Sequence, residues 1–122
     1  MQFDVVATNP PFQDYTNRKK TQHKLWINFT KEAFNKWLKP DGLLLQVSPS
    51  SFLSPSSKVL KLFQQKVVEF LRLDVKEYFP TVNSTFAYYS VINRDSDGEY
   101  TNIVNEKGMF TKRIDDNIFY LP

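Results

Sequence analysis
Asn9, Pro10, Pro11 and Phe12 follow directly on a short apolar run, and of all the residues here they are the best equipped for chemistry. The Asn9 side-chain oxygen and the Pro10 backbone carbonyl are two acceptors that could converge on one NH2 group. An amine attached to a planar carbon is a poor nucleophile, because its lone pair is delocalised. Accepting both of its hydrogens favours the pyramidal form that can attack. The prolines freeze the backbone and keep the carbonyl turned outward, so the acceptors are preorganised. Phe12 offers a flat apolar face for an extruded base, and such stacking is worth about 1–3 kcal/mol. A group delivered to that nitrogen by direct displacement requires no acid, base or metal, only positioning and electrostatics. Asn and Pro are also ordinary turn residues, and the same tetrapeptide fits a plain turn that ends a strand.

The elements around the motif decide between these readings. Phe3–Thr8 is β-branched and apolar, and the missing proline N–H groups stop its ladder at the motif, which predicts a buried strand ending in a rigid loop. Residues 13–22 are polar, include Arg18, Lys19 and Lys20, and read as a mobile loop. Leu25, Trp26, Phe29, Ala33, Phe34, Trp37 and Leu38 recur at helical spacing, and Lys39-Pro40-Asp41-Gly42 ends that helix. Residues 43–47 form an apolar run of strand length, of the kind buried on both faces of a parallel sheet. A strand before the motif and a helix and strand after it make an α/β unit, which favours chemistry over a plain turn.

Further along, Ser54 and Pro55 resemble an N-cap and first helical position. Val59, Leu60, Phe63, Val67, Phe70 and Leu71 line one face of the helix they would open. Leu71, Leu73 and Val75 alternate with charged residues, which predicts a strand near a sheet edge. Residues 85–93 read as another strand, and Asp95-Ser96-Asp97-Gly98 as a tight turn returning residues 100–104 as the second arm of a hairpin.

Composition narrows the classes. The chain has 122 residues, 41% hydrophobic and 24% charged, as expected of one globular domain. Without cysteine, and with His23 as its one histidine, it cannot assemble an ordinary zinc site or a serine or cysteine triad. No stretch approaches membrane-spanning length and the opening residues do not resemble a signal peptide, so a soluble cytoplasmic protein is expected. A net charge of +3 permits nucleic-acid binding, and the 16% aromatic content fits a stacking surface or a core of large rings.

The Asn9-Pro10-Pro11-Phe12 motif resembles that of amino-methyltransferases using S-adenosylmethionine: Asp or Asn, two prolines, then an aromatic. The stretch Glu77-Tyr78-Phe79-Pro80-Thr81-Val82-Asn83-Ser84-Thr85-Phe86 is similar to a Phe-Pro turn found after the catalytic loop in gamma-ordered N6-adenine DNA methyltransferases and related restriction-modification enzymes. By that resemblance Phe79 is the second wall of a base pocket facing Phe12. A core phenylalanine before a proline turn accounts for it equally well. The likeness runs over residues 3–93. It implies an α/β fold, a partial Rossmann-like methyltransferase sheet in three layers that lacks the N-terminal donor-binding strands. Residues 1–122 would be one domain, the C-terminal half of a catalytic domain, with 94–122 a hairpin or the start of a following segment.

The sequence departs from the family where the methyl donor should bind. Such enzymes hold it on a Gly-rich strand-to-helix turn, whereas Gly42, Gly98 and Gly108 are the only glycines here and have no such spacing. The expectation is therefore a fragment, a truncated product or part of a split enzyme, inactive alone, with the main S-adenosylmethionine motif on another segment or polypeptide. In the complete fold the Phe3–Thr8 strand would pair on both sides, so its bared edge predicts a homo-oligomer unless a donor-binding half covers it. Protein-glutamine and ribosomal-RNA guanine methyltransferases share the motif, and a non-catalytic binding remnant is a third alternative. The apparent second wall at Phe79 and the loop cations Arg18, Lys19 and Lys20, read as contacts to the DNA backbone, favour a DNA base.

Overall fold
The computed structural model describes residues 2–9, 19–53, 57–73 and 86–114. Strand β1 (Phe3–Thr8) leads through helix α1 (Lys19–Glu32) and a π-helical turn (Ala33–Trp37) into β2 (Leu38–Pro49). A 3-10 turn (Ser50–Leu53) and helix α2 (Lys58–Gln64) then lead to β3 (Lys66–Arg72), β4 (Phe86–Asp95), β5 (Thr101–Asn105) and β6 (Gly108–Lys112). The strands form one sheet in the order β1-β2-β4-β3-β5-β6. β1 is parallel to β2, β4 is antiparallel to both β2 and β3, and β5 is parallel to β3. Strands β1, β2, β3 and β5 therefore all point the same way, with their carboxyl ends on one edge. Among the described residues no helix is long and apolar enough to cross a membrane.

Both helices pack on one face of the sheet. Trp26 of α1 makes an edge contact with Phe52, Phe52 with Phe63 of α2, and both Phe52 and Phe63 with Tyr89 of β4. The facing strand residues Leu44, Ala87, Val91, Val68 and Leu71 are buried in the same cluster. Alternation places Leu43, Leu45 and Val47 of β2 on the opposite face, where they are half-buried. Next to them at the sheet edge, Phe3 and Val5 of β1 are 47% and 52% exposed. Residues 43–47 are thus fully buried on one face, rather than on both as their run of leucines suggests.

Several boundaries differ from those read in the sequence, each for a physical reason. Lys19 to Gln22 belong to α1 rather than to a loop, while residues 13–18 lie outside the described residues. Leu38 begins β2 rather than ending the helix. Lys39, Pro40, Asp41 and Gly42 do interrupt the ladder: Phe3 pairs with Leu38 and Val5 with Leu43, so Asp4 alone faces all four. Asp41 takes a positive φ of 64° within this excursion. A Cβ on Gly42 would lie 2.9 Å from the Lys39 carbonyl oxygen and 3.2 Å from that of Asp4, so the tight excursion favours glycine here.

Helix α2 is capped by Ser57, whose hydroxyl accepts from the Leu60 N–H, and not by Ser54, which with Pro55 falls outside the described residues. It ends at Gln64, and Val67, Phe70 and Leu71 belong to β3. A bulge between Val68 and Phe70 skips Glu69, so residues on one face of β3 stand three apart, as they would in a helix. β3 is interior, between β4 and β5, while residues 74–80, with Val75, lie outside the described residues. β5 does not hairpin with β4, because β2 and β3 occupy both edges of that strand. It crosses instead to β3, where the Thr101 hydroxyl donates to the Val68 carbonyl at 2.8 Å. Residues beyond Asn105 also enter the fold, since β6 pairs with β5 and Ile114 is buried in the core cluster.

Candidate functional site
The carboxyl edge of a parallel α/β sheet is where such folds bind ligands. Asn9 stands there, exposed, immediately after β1. At the same edge β1 ends at Thr8, β2 passes into the 3-10 turn before α2, β3 ends at Arg72 and β4 begins at Phe86. Lys19 and Lys20 open α1, whose chain enters from the Asn9 segment. Pro10, Pro11, Phe12, Arg18 and Phe79 lie outside the described residues. In sequence Phe79 falls between β3, which ends at this edge, and β4, which begins there.

Directly below this edge lies a chain of buried polar groups that the sequence reading missed. Thr8, Gln46, Tyr89 and Leu71 form one row across β1, β2, β4 and β3. The Gln46 amide NH2 donates to Thr30 Oγ1 at 3.0 Å and to the Tyr89 phenol oxygen at 2.6 Å. Tyr89 donates in turn to Ser48 Oγ at 2.8 Å, Ser48 to the Pro49 carbonyl at 3.3 Å, and Thr30 to the Trp26 carbonyl at 2.8 Å. Thr30, Gln46 and Ser48 are fully buried. Gln46 Oε1 has no partner among the described residues. Burial drives the Tyr89 phenol far above its ordinary pKa, and the hydrogen bonds with Ser48 and Gln46 draw it only part of the way back. Tyr89 therefore stays protonated near neutral pH, where it donates to Ser48 and accepts from Gln46. The signal in the sequence was Gln46 itself, a polar residue within the run Leu43-Leu44-Leu45-Gln46-Val47.

The ion pairs Lys39 with Asp4 (3.5 Å), Lys66 with Asp95 (3.7 Å) and Arg94 with Asp41 (3.5 Å) lie at the amino ends of the parallel strands. These exposed pairs contribute little stability.

Residues 1–86 match the family model of the Eco57I restriction-modification methylases. The fold is similar to that of a putative class I S-adenosylmethionine-dependent methyltransferase from Listeria monocytogenes, with a TM-score of 0.58 and 18% sequence identity. The likeness covers 80% of this chain and 34% of that one, so the chain spans about a third of that structure's length. At that identity the likeness is one of fold, an α/β methyltransferase fold. No curated protein matches the chain in sequence. The family match takes in β1, the motif at Asn9, α1, β2, α2, β3 and the Phe79 turn, and by that match the chain belongs to the Eco57I restriction-modification methylase family.

Proposed function
We propose that this chain is the substrate-binding portion of an N6-adenine DNA methyltransferase, which moves a methyl group from S-adenosylmethionine to the exocyclic amine of a flipped adenine. The observation that carries this reading is Asn9, exposed at the carboxyl end of β1 and opening the Asn-Pro-Pro-Phe motif in a chain of this family. Asn9 Oδ1 and the Pro10 carbonyl accept from the amine, Pro11 stiffens the loop, and Phe12 and Phe79 stack on the two faces of the base. Arg18, Lys19 and Lys20 lie along the phosphate backbone, which positions the duplex without reading its sequence.

The described residues do not form a cradle for the donor. Gly42 sits inside a strand pair, Gly98 and Gly108 follow strands that lead into other strands, and none opens a strand-to-helix turn. The donor's main contacts are assigned to a separate donor-binding half, and no step is derived through it. That half would also pair with the free edge of β1, and without it the chain self-associates there. A DNA-modifying role makes the cytoplasm its compartment.

Coexpression with the products of its genomic neighbours, followed by nucleoside mass spectrometry of host DNA, tests the reading. N6-methyladenine that disappears with Asn9→Ala is expected. Methylated guanine in ribosomal RNA, methylglutamine in protein, or no methylation with any neighbour would overturn it.

A further inference from the structure
The sequence holds two Asp-Gly pairs, Asp41-Gly42 and Asp97-Gly98. In such a pair the backbone nitrogen of the glycine can attack the carboxyl carbon of the aspartic acid side chain before it. A new N–C bond closes a five-membered succinimide, and the amide proton and the side-chain hydroxyl leave together as water. A second water opens the ring at either carbonyl. One opening restores aspartate, and the other leaves isoaspartate, whose main chain runs through the side-chain carbon. No oxidant, metal or enzyme takes part. In a folded chain the rate is decided by whether the carboxyl can swing and whether the nitrogen can be reached.

The fold treats the two pairs differently. Asp41 and Gly42 lie in the excursion of β2 opposite Asp4, and the Asp41 carboxylate is 3.5 Å from Arg94. That exposed ion pair is a weak restraint. The packing is a strong one: Gly42 is buried, with the backbone oxygens of Lys39 and Asp4 at 2.9 and 3.2 Å from where a Cβ would stand. Asp97 and Gly98 belong instead to the connection from β4 to β5. Asp97 is exposed, and among the described residues no hydrogen bond or ion pair holds its carboxylate. Gly98 takes a φ of 82°, and its N–H lies outside the strand ladders, reaching Ser96 Oγ at 3.4 Å, beyond the usual range. A cation stands beside it, since Arg113 Nη2 is 3.1 Å from the place of a Gly98 Cβ. Positive charge near a peptide nitrogen favours its deprotonated, attacking form.

We infer that Asp97-Gly98 is a site of spontaneous isoaspartate formation in the folded chain, and that Asp41-Gly42 is protected by its packing. This chemistry is independent of the methyltransferase reading. Its product puts an extra methylene into the path from β4 to β5. That path feeds a short ladder: β5 is held to β3 by three paired residues, Phe70 with Asn102 through Arg72 with Val104, and by the Thr101 hydroxyl on the Val68 carbonyl.

The test is to hold the folded chain for weeks in warm, mildly acidic buffer and then map it with the protease Asp-N and electron-transfer fragmentation. Asp-N does not cut before isoaspartate, and the fragments identify the isomer. Isoaspartate at 97 is expected to exceed that at 41 by about ten-fold or more, whereas in urea the two sites should convert at similar rates. Asp97→Glu, which needs a six-membered ring, should stay unmodified. Asp97→Asn should react faster by loss of ammonia, read as a rise in intact mass. Equal conversion at 41 and 97 in the folded chain overturns the inference. So does an unmodified 97 over a time in which the urea-unfolded chain converts, or an unchanged mass in folded Asp97→Asn.

Discussion

The Gln46 amide on β2 lies 2.6 Å from the Tyr89 phenol on β4, deep in an interior otherwise built of aromatic and aliphatic side chains. Tyr89 accepts there and donates to Ser48, so its oxygen is satisfied from both sides. Tyr89→Phe removes that oxygen while the ring contacts with Phe52 and Phe63 remain. Gln46 then loses one of its two acceptors, and a cost of about 1–3 kcal/mol is expected for the group left unpaired. Urea denaturation should show a lower midpoint with an unchanged slope. Parent-like stability would mean that the network contributes nothing.

The same phenol gives the fold an alkaline limit. Its pKa is raised in the folded state, so between the two values the unfolded chain releases this proton and the folded chain keeps it. The contribution is fully present below the unfolded value of about 10 and is lost as pH rises toward the folded value. Melting temperature should therefore fall above about pH 10, and fall less steeply in Tyr89→Phe. Absorbance titration should find one tyrosine that ionises only with unfolding. Identical alkaline slopes in parent and variant would contradict the assignment.

Gly42 closes the excursion of β2 that passes Asp4 of β1. An alanine Cβ there would press on the carbonyl oxygens of Lys39 and Asp4, which are backbone atoms with little room to give. Gly42→Ala should cost about 1–3 kcal/mol, as overpacking does elsewhere, and should weaken the β1–β2 pairing first. Hydrogen exchange is the measurement: faster exchange at Val5 to Ala7 is expected, and unchanged rates there would place the strain elsewhere.

The first half of this fold was legible because its signals agree. The prolines at 10 and 11 end β1, the spacing from Leu25 onward marks α1, and the leucines at 43–45 mark β2. The strand that ends just before Asn9 and the helix that follows were legible for the same reason. Residues 65–72 were not. The bulge at Glu69 gives a strand the three-residue spacing of a helix, so Val67, Phe70 and Leu71 read as a continuation of α2. The partner of β5 was hidden too, because pairing with β3 rather than β4 depends on which edges other strands have taken, and no local turn residue records that. Gln46 was passed over because one polar residue in an apolar run changes periodicity little, although it links Thr30 of α1 and Tyr89 of β4 in the buried hydrogen-bond chain.

If Asn9 accepts from the target amine, its contribution should grow as that nitrogen becomes pyramidal. Asn9→Ala in a reconstituted enzyme should then lower kcat by about 100-fold or more while DNA affinity changes little, since an interaction realised in the transition state governs rate rather than binding. Single-turnover methylation with radiolabelled donor, set against DNA binding by fluorescence anisotropy, separates the two. Equal losses would make Asn9 a binding residue.

The outer edge of β1 governs how the chain associates. Among the described residues β1 pairs only with β2, at the margin of the sheet. Phe3 and Val5 are about half exposed, and no lysine or proline interrupts the run from Phe3 to Thr8. Asp4 is the one charge on that edge, and it lies 3.5 Å from Lys39, which partly cancels it. A β-branched edge so weakly guarded is a template for another strand, and the half-buried Leu43 and Leu45 beside it extend the apolar surface around the corner. In isolation the chain should therefore associate through β1, and light scattering at roughly tens of micromolar should give the mass of a dimer or more. Val5→Lys puts a charge on the edge at an exposed position, where the folded chain tolerates it, and should restore the 14.4 kDa monomer with unchanged melting in dilute solution. The far edge serves as control: β6 is the other margin of the sheet, and Met109→Lys there, at the most exposed large apolar side chain among the described residues, should leave the assembly intact. A parent chain that is already monomeric, or an assembly that survives Val5→Lys and dissolves with Met109→Lys, would remove β1 from the interface.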